Sequence, residues 1–414
     1  MKQQIITTSL IIVLVIISIV FIILYINKNP KCPPSLSLKS NTLRQLIYFN
    51  KKIKEYKLNP KAKYALRIGI IPNLTNIKTN GRVVNIQGAQ HLAKVKNLPV
   101  SWDWRAVTNH VLYQKLQPGN YCSDVKNQHA APAGNSGMQY TGTCWIFSSV
   151  QTMADRINIM NGIKNMNNLT PKVDLSIQPI LSCSGSDIGI LTGGDSYTCY
   201  DIIMNTTKGL VDTTCMPFLG DDFKNMCTSE CATCLAIGQN SCVEIGAKNF
   251  TSYGNKRCCS VDKYDKYQLE GFSNISARFN QEVRNNTNGW STNDSLEDYI
   301  KTEIYSFGCC TIAVDAGPIE TFGGGSVFTK RRSASYTPEL NHLVSIVGWG
   351  INNGSNFWII RNSWGTPYAD QGYISVDSKS IGMDDPYNNF FAAYPSGFSK
   401  VLNVKPEDEN IRIR

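Results

Sequence analysis

The sequence predicts an α+β fold of two lobes, one led by a helix and the other built of strands. Three observations carry that prediction. Apolar side chains at Ile146, Val150, Met153, Ala154 and Ile157 recur at steps of three and four, the period of a helix that opens at Cys144. The last third of the chain instead holds short runs of β-branched and aromatic residues, Leu343 to Val347 and Phe357 to Ile360, with the hairpin signal Asn352-Asn353-Gly354 between them. Finally, 414 residues with 42% hydrophobic and 17% charged side chains read as a globular body able to bury a proper core.

The chain opens with a run from Ile5 to Tyr25 that has no charged side chain. A bilayer core needs about 20 apolar residues in a helix, so the run is long enough to span. The flank Ile26-Asn27-Lys28-Asn29-Pro30 has no small-residue cleavage site, which favours an uncleaved signal anchor in residues 1–27 over a cleaved signal peptide. Lys2 before the span and Lys28 and Lys31 after it give no orientation by charge. Orientation comes instead from 14 cysteines and from sequons at Asn73, Asn168, Asn205, Asn249, Asn274, Asn285, Asn293 and Asn353. Disulfides and glycans both belong to oxidising compartments. The expectation is a single-pass type II protein with its body in the lumen or outside the cell; the alternative is a secreted or lysosome-like form after processing.

Residues 28–97 form a separate basic segment. Residues 1–97 carry 16 Lys and Arg against one acid, a net +15, whereas the remainder carries 25 against 30, a net −5. A nucleic-acid arm has no use in a lumen, so the asymmetry is read as a prosegment docked electrostatically on an acidic body. Within it, Leu43 to Tyr56 fits a short helix, and Ala65 to Ile71 and Val83 to Ile86 fit extended chain. At Leu98-Pro99-Val100-Ser101-Trp102-Asp103-Trp104-Arg105 the composition shifts to that of a compact domain, expected over 98–390. Further along, the Cys144 helix is expected to end near Asn161-Gly162. Ser184 to Asp195 reads as a loop around Gly193-Gly194, Gly372 to Val376 as one more strand, and 391–414 as a charged tail. Cys215, Cys227, Cys231, Cys234 and Cys242 form a dense group. A zinc site through Cys231-x-x-Cys234 is the alternative to disulfides there, but no histidine lies nearby and the other spacings are uneven, so no metal is expected.

The chemistry rests on a thiol. Thiols attack carbonyls as thiolates, and both an imidazolium partner and a helix N-terminus lower the cysteine pKa. Cys144 stands at a predicted helix start. Of the four histidines, His91 precedes the compact domain, His110 lies in an irregular polar stretch, and His129 lies in a Pro- and Gly-rich loop. His342 alone heads a buried-looking strand, and Asn362-Ser363-Trp364-Gly365 follows 20 residues later across the predicted hairpin. An antiparallel pair can bring Asn362 within reach of His342, with Trp364 shielding the bond. Taken singly, each residue has a plainer reading: half a disulfide, a core histidine, a turn. Their joint order outweighs those readings.

With these residues assembled, the chain resembles the papain-like cysteine peptidases, and within them the cathepsin X (cathepsin Z) branch, over Leu98 to about Val376. The motifs are the Leu98 to Arg105 segment, Asn127-Gln128-His129, Cys144-Trp145, Met153 to Ile159, Gly193-Gly194, the His342 strand and the Asn362 segment, with the cysteine spacing from Cys215 to Cys242. The resemblance implies a papain-like two-lobe fold with the active site in the cleft, Cys144 as nucleophile, His342 as its base, and Asn362 orienting the imidazole. It implies that Gln128 and the Cys144 N–H form the oxyanion hole, that Gly193, Gly194 and Trp364 line the substrate site, and that Cys183 pairs with Cys215. The implied partners are a peptide or protein substrate, the chain's own prosegment as inhibitor, and a membrane through residues 5–25. No cofactor and no nucleic acid are implied.

Three departures from the pattern bear on function. Thr141 and Leu191 stand where the family has a cysteine pair, so both halves of one disulfide are missing together. In the cathepsin X branch a histidine after the oxyanion glutamine binds the substrate's terminal carboxylate, which makes a carboxypeptidase; His129 matches it, but Ala130 to Met138 lengthen the following loop by seven residues. The resemblance therefore implies a carboxypeptidase preference, with endopeptidase as the alternative. Lastly, Cys32 is the one cysteine before Cys122; it reads equally as a latch on Cys144 or as a residue that links two chains or is idle. An inactive peptide-binding homologue displayed on a membrane, and a different Cys–His acyl-transfer enzyme, are the remaining alternatives. The retention of Cys144, His342, Asn362 and Gln128 together counts against the first, and Gln128 with an Asn third member counts against the second.

Overall fold

The computed structural model describes residues 93–397 apart from 115, 130, 134–136, 140, 165–171, 185–189, 191–192, 219–231, 236–247, 254–255, 261–263 and 387. The expected anchor, Cys32 and nearly all of the prosegment lie outside the described residues. No helix among the described residues is long and apolar enough to cross a membrane.

In chain order the elements are β1 (Trp102–Asp103), β2 (Ala131–Ala133), β3 (Gly137–Gln139), α1 (Cys144–Lys164), α2 (Gln178–Cys183) and α3 (Ser196–Asp201). After these come β4 (Ala232–Leu235), β5 (Lys248–Tyr253), β6 (Lys256–Ser260) and β7 (Leu269–Asn274), then α4 (Ile275–Asn285) and α5 (Leu296–Phe307). The chain closes with β8 (Cys310–Val314), β9 (Val327–Phe328), β10 (His342–Asn352), β11 (Ser355–Arg361), β12 (Tyr373–Asp377) and β13 (Phe391–Pro395).

Two cores sit side by side, as the sequence led one to expect. Ile146, Val150 and Met153 of α1 pack with Ile180, Leu181 and Tyr200 in the helical lobe. Trp104, Ile312, Val344, Ile346, Trp349, Trp358 and Ile360 fill the strand lobe. The main sheet runs β7-β13-β8-β10-β11-β12-β9, with β1 against β10, and every pairing is antiparallel except β12 with β9. The hairpin between β10 and β11 is the one the sequence announces: Asn352 faces Ser355, and the two loop residues Asn353 and Gly354 have φ of 49° and 76°. Positive φ at both positions is the turn whose twist matches paired strands.

The first helix is buried on every side, because it serves both cores: its first four turns line the helical lobe, and Ile159 and Met160 enter the other. Polar side chains on such a helix must find buried partners. Asp155 pairs with Arg361 of β11 at 2.7 Å, and Arg156 with Glu303 of α5 at 2.9 Å, all four without exposure. The first of these pairs ties the helix that begins at Cys144 to the strand that ends just before Asn362.

Two boundaries differ from the sequence reading. The helix passes Gly162 and runs to Lys164. Gly162 is there for contact, since a Cβ on it would stand 2.4 Å from the Tyr121 ring; it is not a cap. More consequentially, the expected tail at 391 is partly core. Phe391–Pro395 is a wholly buried strand inserted between β7 and β8. The run Phe391-Ala392-Ala393-Tyr394 is apolar on both faces, as an interior strand requires. The charged residues near 405–409 lie outside the described part.

Candidate active site

Cys144 is the first residue of α1; the N–H groups of Ile146 and Phe147 return to the Thr143 carbonyl at 2.9 and 3.1 Å. The thiol is therefore at the positive end of a 21-residue helix. Its Sγ accepts the N–H of Leu343 at 3.4 Å, the residue after His342. His342 is placed by β10, which pairs it with Val314 of β8. Its Nε2 lies 2.8 Å from Asn362 Oδ1, and that oxygen also accepts the Ser363 N–H at 2.8 Å. With Oδ1 the acceptor, Nε2 is the donor and Nδ1 keeps its lone pair. Trp364 stacks on the imidazole with centroids 4.9 Å apart and planes 28° from parallel.

Gln128 is held to the same segment. Its N–H donates to the Ser363 carbonyl (2.8 Å), and its side-chain Oε1 accepts from Ser363 Oγ (2.5 Å). Its Nε2 donates to the Thr141 carbonyl at 2.7 Å, which leaves a second N–H on that nitrogen. Thr141 thus stands in for the absent cysteine by polar means. Its hydroxyl donates to the Gln128 carbonyl at 2.8 Å, and Gly142 N–H bonds to Ile190 O at 2.9 Å. Gly194 lies against the indole of Trp145, where a Cβ would come within 2.5 Å of the ring. That contact brings the Gly193-Gly194 loop alongside the Cys144 turn.

His129 is buried. Its Nδ1 accepts the Thr141 N–H at 3.3 Å. Two residues on, the described parts of the enlargement pair as two antiparallel strands, Ala131 facing Gln139 and Ala133 facing Gly137. Among the proposed disulfide residues, Cys183 and Cys215 are disulfide-bonded. Cys227, Cys231 and Cys242 lie outside the described residues, and the register sets Cys234 opposite Cys258.

Burial dominates the electrostatics. It pushes the Cys144 thiol up to about 12, against the pull of the Leu343, Trp145 and Cys144 N–H groups. It lowers His342 to about 4, against the bond to Asn362, and His129 to about 3, where the charge of His342 adds to the effect. His110 lies in an irregular stretch, as expected, but is sandwiched there among Trp102, Trp104, Tyr113 and Tyr305, and burial lowers it to about 4. Its neutral form is fully matched: Nε2 donates to the Tyr305 carbonyl (2.8 Å) and Nδ1 accepts the Tyr113 N–H (3.3 Å).

Three histidines held neutral imply acid lability. Between about pH 6.5, where an unfolded imidazole takes up its proton, and about pH 4, the unfolded chain binds more protons than the folded one. Stability therefore falls as pH falls, by up to about 1.4 kcal/mol per pH unit for each such histidine. The loss levels off below the folded values, near 4 for His110 and His342 and near 3 for His129. Thermal melts from pH 7 to 4.5 are expected to show this slope, reduced in His110→Gln; equal slopes for the variant and the wild type would refute the assignment to His110.

Sequence reading missed three of these features: the Asp155–Arg361 pair, the Ser363–Gln128 bond and the Thr141 anchor. The first had a visible signal, a charged dipeptide in the middle of an apolar helix. The other two depend on side-chain placement, which periodicity does not encode.

The chain matches the family model for papain family cysteine protease over residues 98–387. It is 29% identical over 297 residues to cathepsin Z of Onchocerca volvulus, covering 70% of this chain and 74% of that protein. It is 26% identical over 241 residues to cathepsin B-like cysteine proteinase 3 of Caenorhabditis elegans, covering 57% of this chain and 54% of that one. The viral cathepsin of Adoxophyes honmai nucleopolyhedrovirus is 24% identical over 279 residues, covering 67% and 57% respectively. The chain thus spans little more than half the length of the last two. Among solved structures, digestive procathepsin L 3 of the Tenebrio molitor larval midgut superposes with a TM-score of 0.49 at 18% identity, covering 87% of this chain and 90% of that one.

Proposed function

Because this chain belongs to the papain family of cysteine proteases and is accordingly a cysteine-type peptidase, we propose that it hydrolyses peptide bonds through Cys144, His342 and Asn362, releasing residues from free C-termini. The observation that carries the reading is the His342 Nε2 to Asn362 Oδ1 bond at 2.8 Å, with Cys144 Sγ on the neighbouring Leu343 N–H. Asn362 holds the tautomer whose Nδ1 can take the thiol proton. Burial keeps thiol and imidazole neutral at rest, so the thiolate arises as half of an ion pair when Cys144 Sγ passes its proton to Nδ1.

The thiolate then attacks the peptide carbonyl. The oxyanion is met by the Cys144 N–H and the second N–H of Gln128 Nε2. His342 returns the proton to the leaving amine, and a water activated by the same imidazole splits the acyl-enzyme. No metal or organic cofactor enters these steps.

The C-terminal preference rests on His129. With Nδ1 accepting from Thr141, its Nε2 carries the hydrogen, a donor for a substrate carboxylate. The hairpin at 131–139 favours a second reading, endopeptidase, if it alters the end of the cleft that His129 closes. We further assign residues 28–97 as an inhibitory prosegment, 5–25 as a membrane anchor, a lumenal or extracellular site of action, and a mutual Cys183–Cys215 disulfide. Support for the docked prosegment comes from its last residues: Lys94 forms an ion pair with Asp294 and a backbone bond to Asn288 at 3.1 Å.

Product analysis on the folded full-length chain after proteolytic cleavage near Leu98 removes residues 28–97, with its Cys144→Ala control treated alike and a peptide with a free C-terminus beside its amidated twin, tests the reading. Single residues lost from the free acid alone is the expected result. Internal cleavage of both peptides overturns the C-terminal preference, and identical traces for wild type and control overturn the peptidase site.

A further inference from the structure

We infer that Cys122 and Cys309 are a thiol pair that closes to a disulfide, stapling the segment that carries Gln128 to the start of β8. Both are free, buried thiols in the structure. Their sulfurs and a carboxylate oxygen of Asp155 all lie within 4.8 Å of one another. The two residues are far apart in sequence and come from separate connecting segments, so only the fold brings them together. The Cys309 thiol, raised by burial, is raised further by its contact with Cys122.

Two sulfurs and a carboxylate also look like part of a metal site, but Asp155 is already committed. Its Oδ1 accepts from Ser123 N–H (2.7 Å), Ser123 Oγ (2.9 Å) and Arg361 Nη1 (3.0 Å), and its Oδ2 from Arg361 Nη2 (2.7 Å). A divalent cation would have to share the carboxylate with a buried guanidinium, which strips Arg361 of its counter-charge. A disulfide makes no such demand: it removes two buried S–H groups, adds no charge and leaves the Asp155–Arg361 pair intact.

The reaction needs an oxidant, for which a low-molecular-weight disulfide such as oxidised glutathione serves. One cysteine attacks it as thiolate and releases one glutathione thiol. The second cysteine then attacks the mixed disulfide and releases the other, so that two thiols and one disulfide become one disulfide and two thiols. Because both sulfurs are buried, closure belongs to folding and not to the finished molecule. The staple would join the two sides of the site, since Gln128 follows Cys122 by six residues and β8 sets His342 opposite Val314.

The test folds the full-length chain in glutathione buffers of rising oxidising strength, continued until Cys183 and Cys215 are bridged. Alkylation in denaturant without reduction and peptide mapping then follow. A Cys122–Cys309 cross-linked peptide pair under oxidising conditions is expected, with a fall in Tm of roughly 5–10 °C on reduction. A Cys122→Ala/Cys309→Ala variant should lose that part of the reduction-sensitive shift, and mapping of the wild type decides the matter even if the variant does not fold. Full alkylation of both cysteines once Cys183 and Cys215 are bridged would overturn the inference. Stoichiometric zinc retained by the wild type and lost in the variant would overturn it as well.

Discussion

Replacing Cys144 by alanine is expected to abolish peptide hydrolysis, with kcat/KM falling by at least roughly 10⁴-fold, while the fold survives. In proteases whose nucleophile and base act as a unit, removing either costs orders of magnitude, and what persists comes from binding and the oxyanion donors. The fold should survive because Cys144 Sγ meets only backbone N–H groups, that of Leu343 among them, and alanine keeps the helix start. His342→Ala should match the loss, whereas Asn362→Ala should cost less, since Trp364 still stacks on the ring and limits its orientation. Gln128→Ala should lie between, at about 10²–10³-fold for one oxyanion donor. Kinetics on a fluorogenic peptide, with a melting curve for each variant, check the series. A Cys144→Ala protein that melts like the wild type and still turns over would remove Cys144 from the mechanism.

Glu303→Gln is expected to be the most damaging single change to stability, at about 3–5 kcal/mol. Glu303 is fully buried where α5 meets α1, α4 and β13. It accepts from Arg156 Nη2 at 2.9 Å, from Arg278 Nη2 and from the Tyr394 hydroxyl at 3.0 Å. Burial alone would raise its carboxyl, but Arg278 and Arg156 outweigh burial and hold it below the ordinary carboxylate range. The amide keeps the shape and removes the charge, leaving two guanidinium groups facing each other across a dry core. Urea unfolding at neutral pH measures the difference; a loss under about 1 kcal/mol would mean that water reaches this cluster. The carboxyl's depressed pKa gives a second signature. Its contribution is present above the unfolded carboxyl pKa and is lost as pH falls through the lower folded value, so the gap between wild type and variant should narrow in acid.

Much of this molecule was legible before any coordinates. Periodicity from Cys144 found α1 at its first residue, because apolar residues three and four apart share a helix face, whereas the burial of its other faces did not show in that pattern. Asn353-Gly354 gave the β10–β11 turn, because few residue pairs accept two positive φ angles. The pairing of His342 with Asn362 followed from that hairpin, and the order of Cys, His and Asn selected the chemistry. What the sequence could not settle was wherever contact, not local pattern, decides. Phe391-Ala392-Ala393-Tyr394 sits just ahead of a charged stretch and reads as its beginning; only the gap between β7 and β8 makes it a strand. Gly162 reads as a stop signal and is in fact space for the Tyr121 ring. His110 looks polar in sequence and is buried by four aromatic rings drawn from 102–113 and from α5. The residue types, their order and their short-range spacing determined the family, the helix that bears the thiol and the hairpin that bears its partners. Tertiary structure decided which charges are buried together, which thiols meet and that His129 is buried, because those depend on distances between segments far apart in the chain, and spacing along the chain does not set such distances.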